Sequence, residues 1–431
     1  MNIRDRQILN IAMPSIVSNI TVPLLGLVDV AITGHLGDAA YVGAIAVGGM
    51  LFNIIYWLFS FLRMGTSGMT AQALGARDLT EVVSLLLRAL LVALLMAALL
   101  LCLQVPIREV ALGIIQPSDE VAVFARAYFN ICVWGAPAAL SLFVLTGWSV
   151  GMQNSKIPMV VAVVQNVANI VVSFALVYGL KMKLEGVALG TVIAQYIGLA
   201  VALSLILLNY LRLRKYVSRV LIVSKGSLFR FFFLNKDLFL RTCCLIVVHF
   251  LFIAAGARQG DTELAVNTML MQLFTLYSYI MDGFAFAGEA LVGKAIGANR
   301  RSVYEDTVQH LFRWGWGLVA AFTLMYWLGG PAFLSLLTDD ANIVEAARAY
   351  QPWTLLIPVC GMATFIWDGI YVGATATKGM LFAMASGGMV FFVLYVALVP
   401  VWGNHGLWLA FVLYLATRGA VQWMLRKRIW Q

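Results

Sequence analysis

Of the 20 acidic residues in this 431-residue chain, four fall inside long apolar runs away from the run starts: Asp29, Asp282, Glu289 and Asp368. A carboxylate in hydrocarbon is costly, so each calls for a partner or a task. Asp29 lies in Gly26-Leu27-Val28-Asp29-Val30-Ala31-Ile32-Thr33-Gly34, with no Lys or Arg within a helical turn or two. A carboxylate held away from water and from cations gives up its charge readily, and such a group can carry a proton near working pH. The alternative is a structural carboxylate, hydrogen-bonded and neutral throughout. Asn169 and Ser173 lie one helical turn apart on one face of a later run, with Gln165 a turn before them and Asn166 adding polarity. With Thr191 they are the polar side chains available to Asp29; each also reads as an ordinary interhelical hydrogen-bonding residue.

Asp282 and Glu289 are spaced to share one helix face, and Arg241, at the start of the preceding run, is a cation that could pair with either. Asp368 lies in the tenth run. No phosphate-binding loop, HExxH or Cys/His metal cluster occurs. His35, His249, His310 and His405 are isolated, and the five cysteines sit in apolar runs as small packing residues. These absences argue against an enzyme, an ATP-driven pump, a cofactor or a metal centre. An ion gradient, of H⁺ or of Na⁺ bound at Asp29, is the expected energy source.

The elements that must position these residues follow from composition. The chain is 62% hydrophobic and 11% charged, with mean hydropathy +0.90; a soluble domain carries roughly 25% charged residues. Apolar runs of the roughly 20 residues needed to span a bilayer occur about twelve times. They cover 8–33, 40–66, 82–104, 120–147, 157–180, 185–212, 233–256, 263–293, 307–329, 344–373, 379–401 and 405–425. The first reads as a span rather than a cleaved leader. With both termini cytoplasmic, about 23 Lys/Arg fall on the inner side and about 6 on the outer. The net charge of +9 is thus spent on orientation in an inner (cell) membrane, not on nucleic acid.

The most basic segment, 213–232, reads as a cytoplasmic linker with room for a short interfacial helix. It divides a lobe of residues 1–212 from one of 233–431. The two repeat one another. Ala125-Arg126-Ala127-Tyr128 recurs as Ala347-Arg348-Ala349-Tyr350, Ala73-Leu74-Gly75-Ala76 as Ala295-Ile296-Gly297-Ala298, and Gly147 with Gly151 as Gly369 with Gly373, all at one offset. The fold expected is an all-α polytopic membrane protein. It has two six-helix lobes related by a pseudo-twofold axis along the membrane normal, able to rock about a cavity between them. At the same offset Asp29 faces Leu251, while Asp282, Glu289 and Asp368 face Ser60, Ser67 and Thr146. The lobes therefore differ in chemistry.

The chain resembles the MATE (multidrug and toxic compound extrusion) family, most closely its DinF branch. In the first lobe the likeness rests on Val28-Asp29 with Gly34 and Leu36-Gly37, on Phe61-Leu62-Arg63 followed by Ala71-Gln72-Ala73-Leu74-Gly75, and on Gly147 with Gly151. In the second it rests on Leu240-Arg241-Thr242, Asp282-Gly283-Phe284-Ala285, Glu289-Ala290-Leu291-Val292-Gly293 and Asp368-Gly369 with Gly373-Ala374-Thr375. The resemblance implies a cation-coupled antiporter that exports small organic compounds, often cationic and amphipathic, and that is expected to act as a monomer in the lipid bilayer. Asp29 matches the family's first-helix acidic residue, and Asn169 and Thr191 match its polar partners. Ser173 departs from a common family Asp, leaving one carboxylate in the first lobe and favouring H⁺ over Na⁺. A flippase for a lipid-linked precursor would want a cationic cavity, and few basic residues lie at mid-span. A non-transporting receptor would leave the repeat and the lone Asp29 without a use.

Overall fold

The computed structural model describes residues 2–34, 39–217, 224–337 and 341–430, and every regular element among them is helical. Long apolar segments adopt helices because a helix satisfies each backbone N–H and C=O internally, as hydrocarbon requires. The helices are α1 (Ile3–Gly34), α2 (Ala39–Phe59), α3 (Phe61–Gly75), α4 (Leu79–Cys102), α5 (Gln104–Ile115), α6 (Asp119–Cys132), α7 (Ala136–Gly151), α8 (Lys156–Phe174) and α9 (Lys183–Tyr210). After them come α10 (Lys225–Gln259), α11 (Asp261–Gly297), α12 (Arg301–Leu337), α13 (Ala341–Gly373), α14 (Thr377–Trp402) and α15 (Asn404–Leu425).

These helices fall on the twelve apolar runs in order, with α2 leading into α3 across Ser60 and α6 leading into α7 through a 3₁₀ turn at Val133–Gly135. Nine helical stretches among the described residues are long and apolar enough to cross a membrane by length and composition. The other three runs coincide with α1, α12 and α15. Leu36 and Gly37 of the family likeness, with His35, lie outside the described residues, as do linker positions 218–223. Of the expected interfacial helix, the described part is a 3₁₀ turn at Leu211–Tyr216 and the start of α10, a 35-residue helix. Phe231 is fully buried, whereas Phe229, Phe232 and Phe233 are exposed. The short helix α5 was not apparent in the sequence.

The chain divides into two compact units. One comprises Val17–Phe232; the other comprises Met1–Ile16 with Phe233–Gln431. The first turns of α1 thus pack with the later helices. Arg4 Nε pairs with Asp306 at 2.8 Å, and Asp5 meets His310 Nδ1 at 2.8 Å and Trp314 Nε1 at 3.1 Å.

Within each unit the repeat appears as one shared helix contact. In the first, a methyl at Gly147 would lie 2.2 Å from the Arg63 carbonyl oxygen and one at Gly151 would lie 2.7 Å from that of Ser67. In the second, Gly369 stands in the same way 2.2 Å from the Ala285 oxygen and Gly373 2.6 Å from that of Glu289. Both contacts use paired glycines four residues apart to bring two backbones together. Helix ends repeat too: Arg77 and Asn299, Gln153 and Thr375, and Lys181 and Gly403 all have positive φ at matched positions.

Candidate ion-coupling site

Asp29 is buried on α1, where Thr33 Oγ1 caps its backbone carbonyl at 2.8 Å. Thr191, on α9, donates to Asp29 Oδ2 at 3.3 Å and lies 3.1 Å from the Val187 carbonyl, while accepting from Asn169 Nδ2 at 3.0 Å. Asn169 and Ser173, on α8, are fully buried. The structure therefore gathers Asp29, Asn169 and Thr191 into one hydrogen-bonded chain across three helices, with Ser173 one turn from Asn169. Among the described residues no cation pairs with Asp29. Asp29 Oδ1, Asn169 Oδ1 and Ser173 Oγ are buried without a hydrogen-bond partner.

Local sequence explains this arrangement. Gly190 lets α9 approach α8, because a methyl there would fall 2.1 Å from Ser173 Oγ. Asn166 Nδ2 donates to the Thr21 carbonyl at 3.0 Å, tying α8 to α1. Just beyond Ser173, α8 widens into a π turn at Ala175–Gly179, where the Leu180 amide bonds to the Ala175 oxygen at 3.2 Å. Such turns interrupt the ordinary helical ladder and recur at functional sites.

The second-unit residues form a different environment. Asp368, on α13, accepts from Arg241 on α10, from Arg418 Nη2 at 2.8 Å and from Gln422 Nε2 at 2.6 Å. Arg418 also donates to Tyr414 Oη at 3.1 Å and lies over that ring. Arg241, expected near Asp282 or Glu289, thus reaches Asp368. Asp282 is close enough to Arg418 for their charges to interact. Glu289 is buried beneath Gly373. Asp368 is thus held by two guanidinium groups, whereas Asp29 has hydroxyl and amide neighbours.

Three participants escaped the sequence reading: Arg418, Gln422 and Tyr414. Arg418 carried a legible signal, since an arginine within an apolar run needs a counter-charge just as a carboxylate does. Gly190 is legible only once α8 and α9 are seen in contact. Among the described residues no group of three or more His, Cys, Asp or Glu side chains could hold a metal ion.

The family model described as MatE matches residues 14–175 and 238–397. The chain is 39% identical over 430 residues to DNA damage-inducible protein F of Escherichia coli (strain K12), spanning 99% of this chain and 93% of that protein. It is 21% identical over 355 residues to the probable multidrug resistance protein NorM of Thermotoga maritima, spanning 80% of this chain and 74% of that one. Among solved structures, the Vibrio cholerae MATE transporter VcmN in the bent form aligns with a TM-score of 0.88 at 15% identity, covering 99% and 97% of the two chains. An outward-facing multidrug resistance MATE transporter of the MOP superfamily aligns at 0.82 and 18% identity, covering 100% and 96%. The family match over both units, with the near full-length identity to the E. coli protein, places this chain in the MATE family of multi-pass membrane transporters, in its DinF branch.

Proposed function

We propose that this transporter is an antiporter that exchanges H⁺ for small organic compounds, often cationic and amphipathic, by alternating access, and that Asp29 is its coupling residue. The observation that carries the reading is the setting of Asp29: a buried carboxylate with no cation beside it and a hydroxyl-amide chain ready to rearrange. Thr191 has one hydrogen and two acceptors within reach, Asp29 Oδ2 and the Val187 carbonyl. With Asp29 ionised, that hydrogen points to the carboxylate. With Asp29 protonated, the carboxyl becomes a donor, Thr191 turns to Val187, and the buried Asn169 and Ser173 oxygens become available acceptors. Proton uptake from the outside thus changes the packing of α1 against α8 and α9 and weakens substrate binding. The carrier then turns inward, loses the proton and rebinds substrate. Both ligands act by favouring one state over the other.

A second reading, Na⁺ in place of H⁺, draws on the three buried oxygens of Asp29, Asn169 and Ser173 that lack partners. Oxygen donors suit a hard cation, but one carboxylate compensates a dehydrated ion less well than two. The protein is expected to act as a monomer in the inner membrane with both termini cytoplasmic. A lipid-precursor flippase is disfavoured because Arg241 and Arg418 are committed to Asp368. The test is Asp29→Asn, which mimics the protonated state: pH-driven efflux is expected to be abolished, and normal pH-driven efflux by that variant would overturn the assignment.

A further inference from the structure

At the end of the second unit that carries the C-terminus, the starts of α10 and α14 and the ends of α13 and α15 enclose a cavity of about 640 Å³. That volume lies in the range of small-molecule sites. Its wall is apolar at Phe233, Leu234, Phe382 and Ile429 and basic at Lys378 and Arg428. Neither cation has a hydrogen-bond or ion-pair partner among the described residues. Lys378 rests 5.1 Å above the Phe233 ring, with Lys236 at 4.8 Å on the same ring. The nearby carboxylate, Asp237, is buried. It accepts from Thr377 Oγ1 at 3.0 Å and lies 3.9 Å from Lys236. The depth fits a membrane boundary, where amphipathic Trp rings collect: Trp423 is half exposed beneath the Arg426 guanidinium at 4.0 Å.

We infer that this cavity binds an anionic phospholipid, its phosphate held between Lys378 and Arg428 and its acyl chains lying along Phe233 and Phe382. The pairing of a greasy wall with unpartnered cations at a helix-bundle end is what such a headgroup recognises. Inorganic phosphate shares the charge but leaves the apolar wall unused, so the lipid is the committed occupant.

Native mass spectrometry of the full-length protein in detergent tests this directly, with phosphatidylglycerol, phosphatidylcholine of the same acyl chains, and inorganic phosphate as probes. Wild type is expected to retain phosphatidylglycerol in preference to both others. Each basic side chain beside an anionic lipid contributes roughly a five-fold factor, so Lys378→Gln with Arg428→Gln should weaken retention roughly 30-fold. The charge-retaining exchange, Lys378→Arg with Arg428→Lys, should restore it. Because Lys378 is exposed, Lys378→Gln alone keeps the test open should the double variant fold poorly, with a roughly five-fold loss expected. Equal retention of both lipids by wild type, unchanged retention in the Gln variants, or equal binding of inorganic phosphate would overturn the assignment.

Discussion

Thr191 is the hinge of the Asp29 site, because its hydroxyl is both the acceptor for Asn169 and the donor for Asp29. Thr191→Val keeps the shape but leaves the Asn169 amide without its acceptor in a buried place, at a cost of about 1–3 kcal/mol. The variant should melt earlier in detergent and lose coupled efflux, whereas Thr191→Ser should retain most of both. Asp368 is the opposite kind of carboxylate. Removing it takes a buried carboxylate from both the Arg241 and Arg418 guanidinium groups, and breaking a buried pair costs about 3–5 kcal/mol. Asp368→Ala is therefore expected to lower thermal stability sharply. Asp29→Asn, which loses no ion pair, should lower it little. Equal melting losses in the two variants would contradict this division of labour between the units.

At the scale of elements, the paired glycines make a sharper prediction. Gly147→Ala and Gly369→Ala would each set a methyl 2.2 Å from a backbone oxygen of the neighbouring helix, and backbone cannot yield as a flexible side chain does. Overpacking of this kind costs about 1–3 kcal/mol or more. Gly317→Ala on α12 meets nothing within 4 Å and should be neutral or stabilising by about 0.5–1 kcal/mol. Melting curves of the three variants separate these outcomes.

The start of α1 offers a pH test. His310 and Trp314 hold the Asp5 carboxyl below its usual range, chiefly through the His310 hydrogen bond. A depressed carboxyl contributes stability that is present above the ordinary carboxylate range, about pH 4, and is lost as pH falls through its lowered value. Wild type should therefore melt above Asp5→Asn at pH 7, and the gap should close toward pH 3. A gap that widens on acidification would show that Asp5 does not anchor α1 in this way.

For the whole molecule, the features readable in the sequence were those set by long patterns. Hydropathy marked the twelve runs, and the constant offset between Gly147 and Gly369 marked the duplication, though not the close helix contact that these glycines make in each unit. Asp29, Asn169 and Thr191 were legible because polar groups in apolar runs must find one another. The partner of Arg241 was not legible. Helix-face spacing shows which residues align within one helix, whereas Asp368 meets Arg241 and Arg418 through the packing of α10, α13 and α15. Nor did length show that the first turns of α1 pack with the later helices, since a continuous helix carries no mark of where its neighbours change. The asymmetry between Asp29 and the arginine-held Asp368 supports coupling through one unit of a duplicated scaffold.

The most direct test of that claim is efflux of a lipophilic fluorescent cation from proteoliposomes under separately imposed H⁺ and Na⁺ gradients, with wild type and Asp29→Asn side by side. The expected result is efflux driven by the H⁺ gradient in wild type, none in Asp29→Asn, and little response to Na⁺ in either. Efflux driven by Na⁺ alone, or H⁺-driven efflux that survives Asp29→Asn, would contradict proton coupling at Asp29.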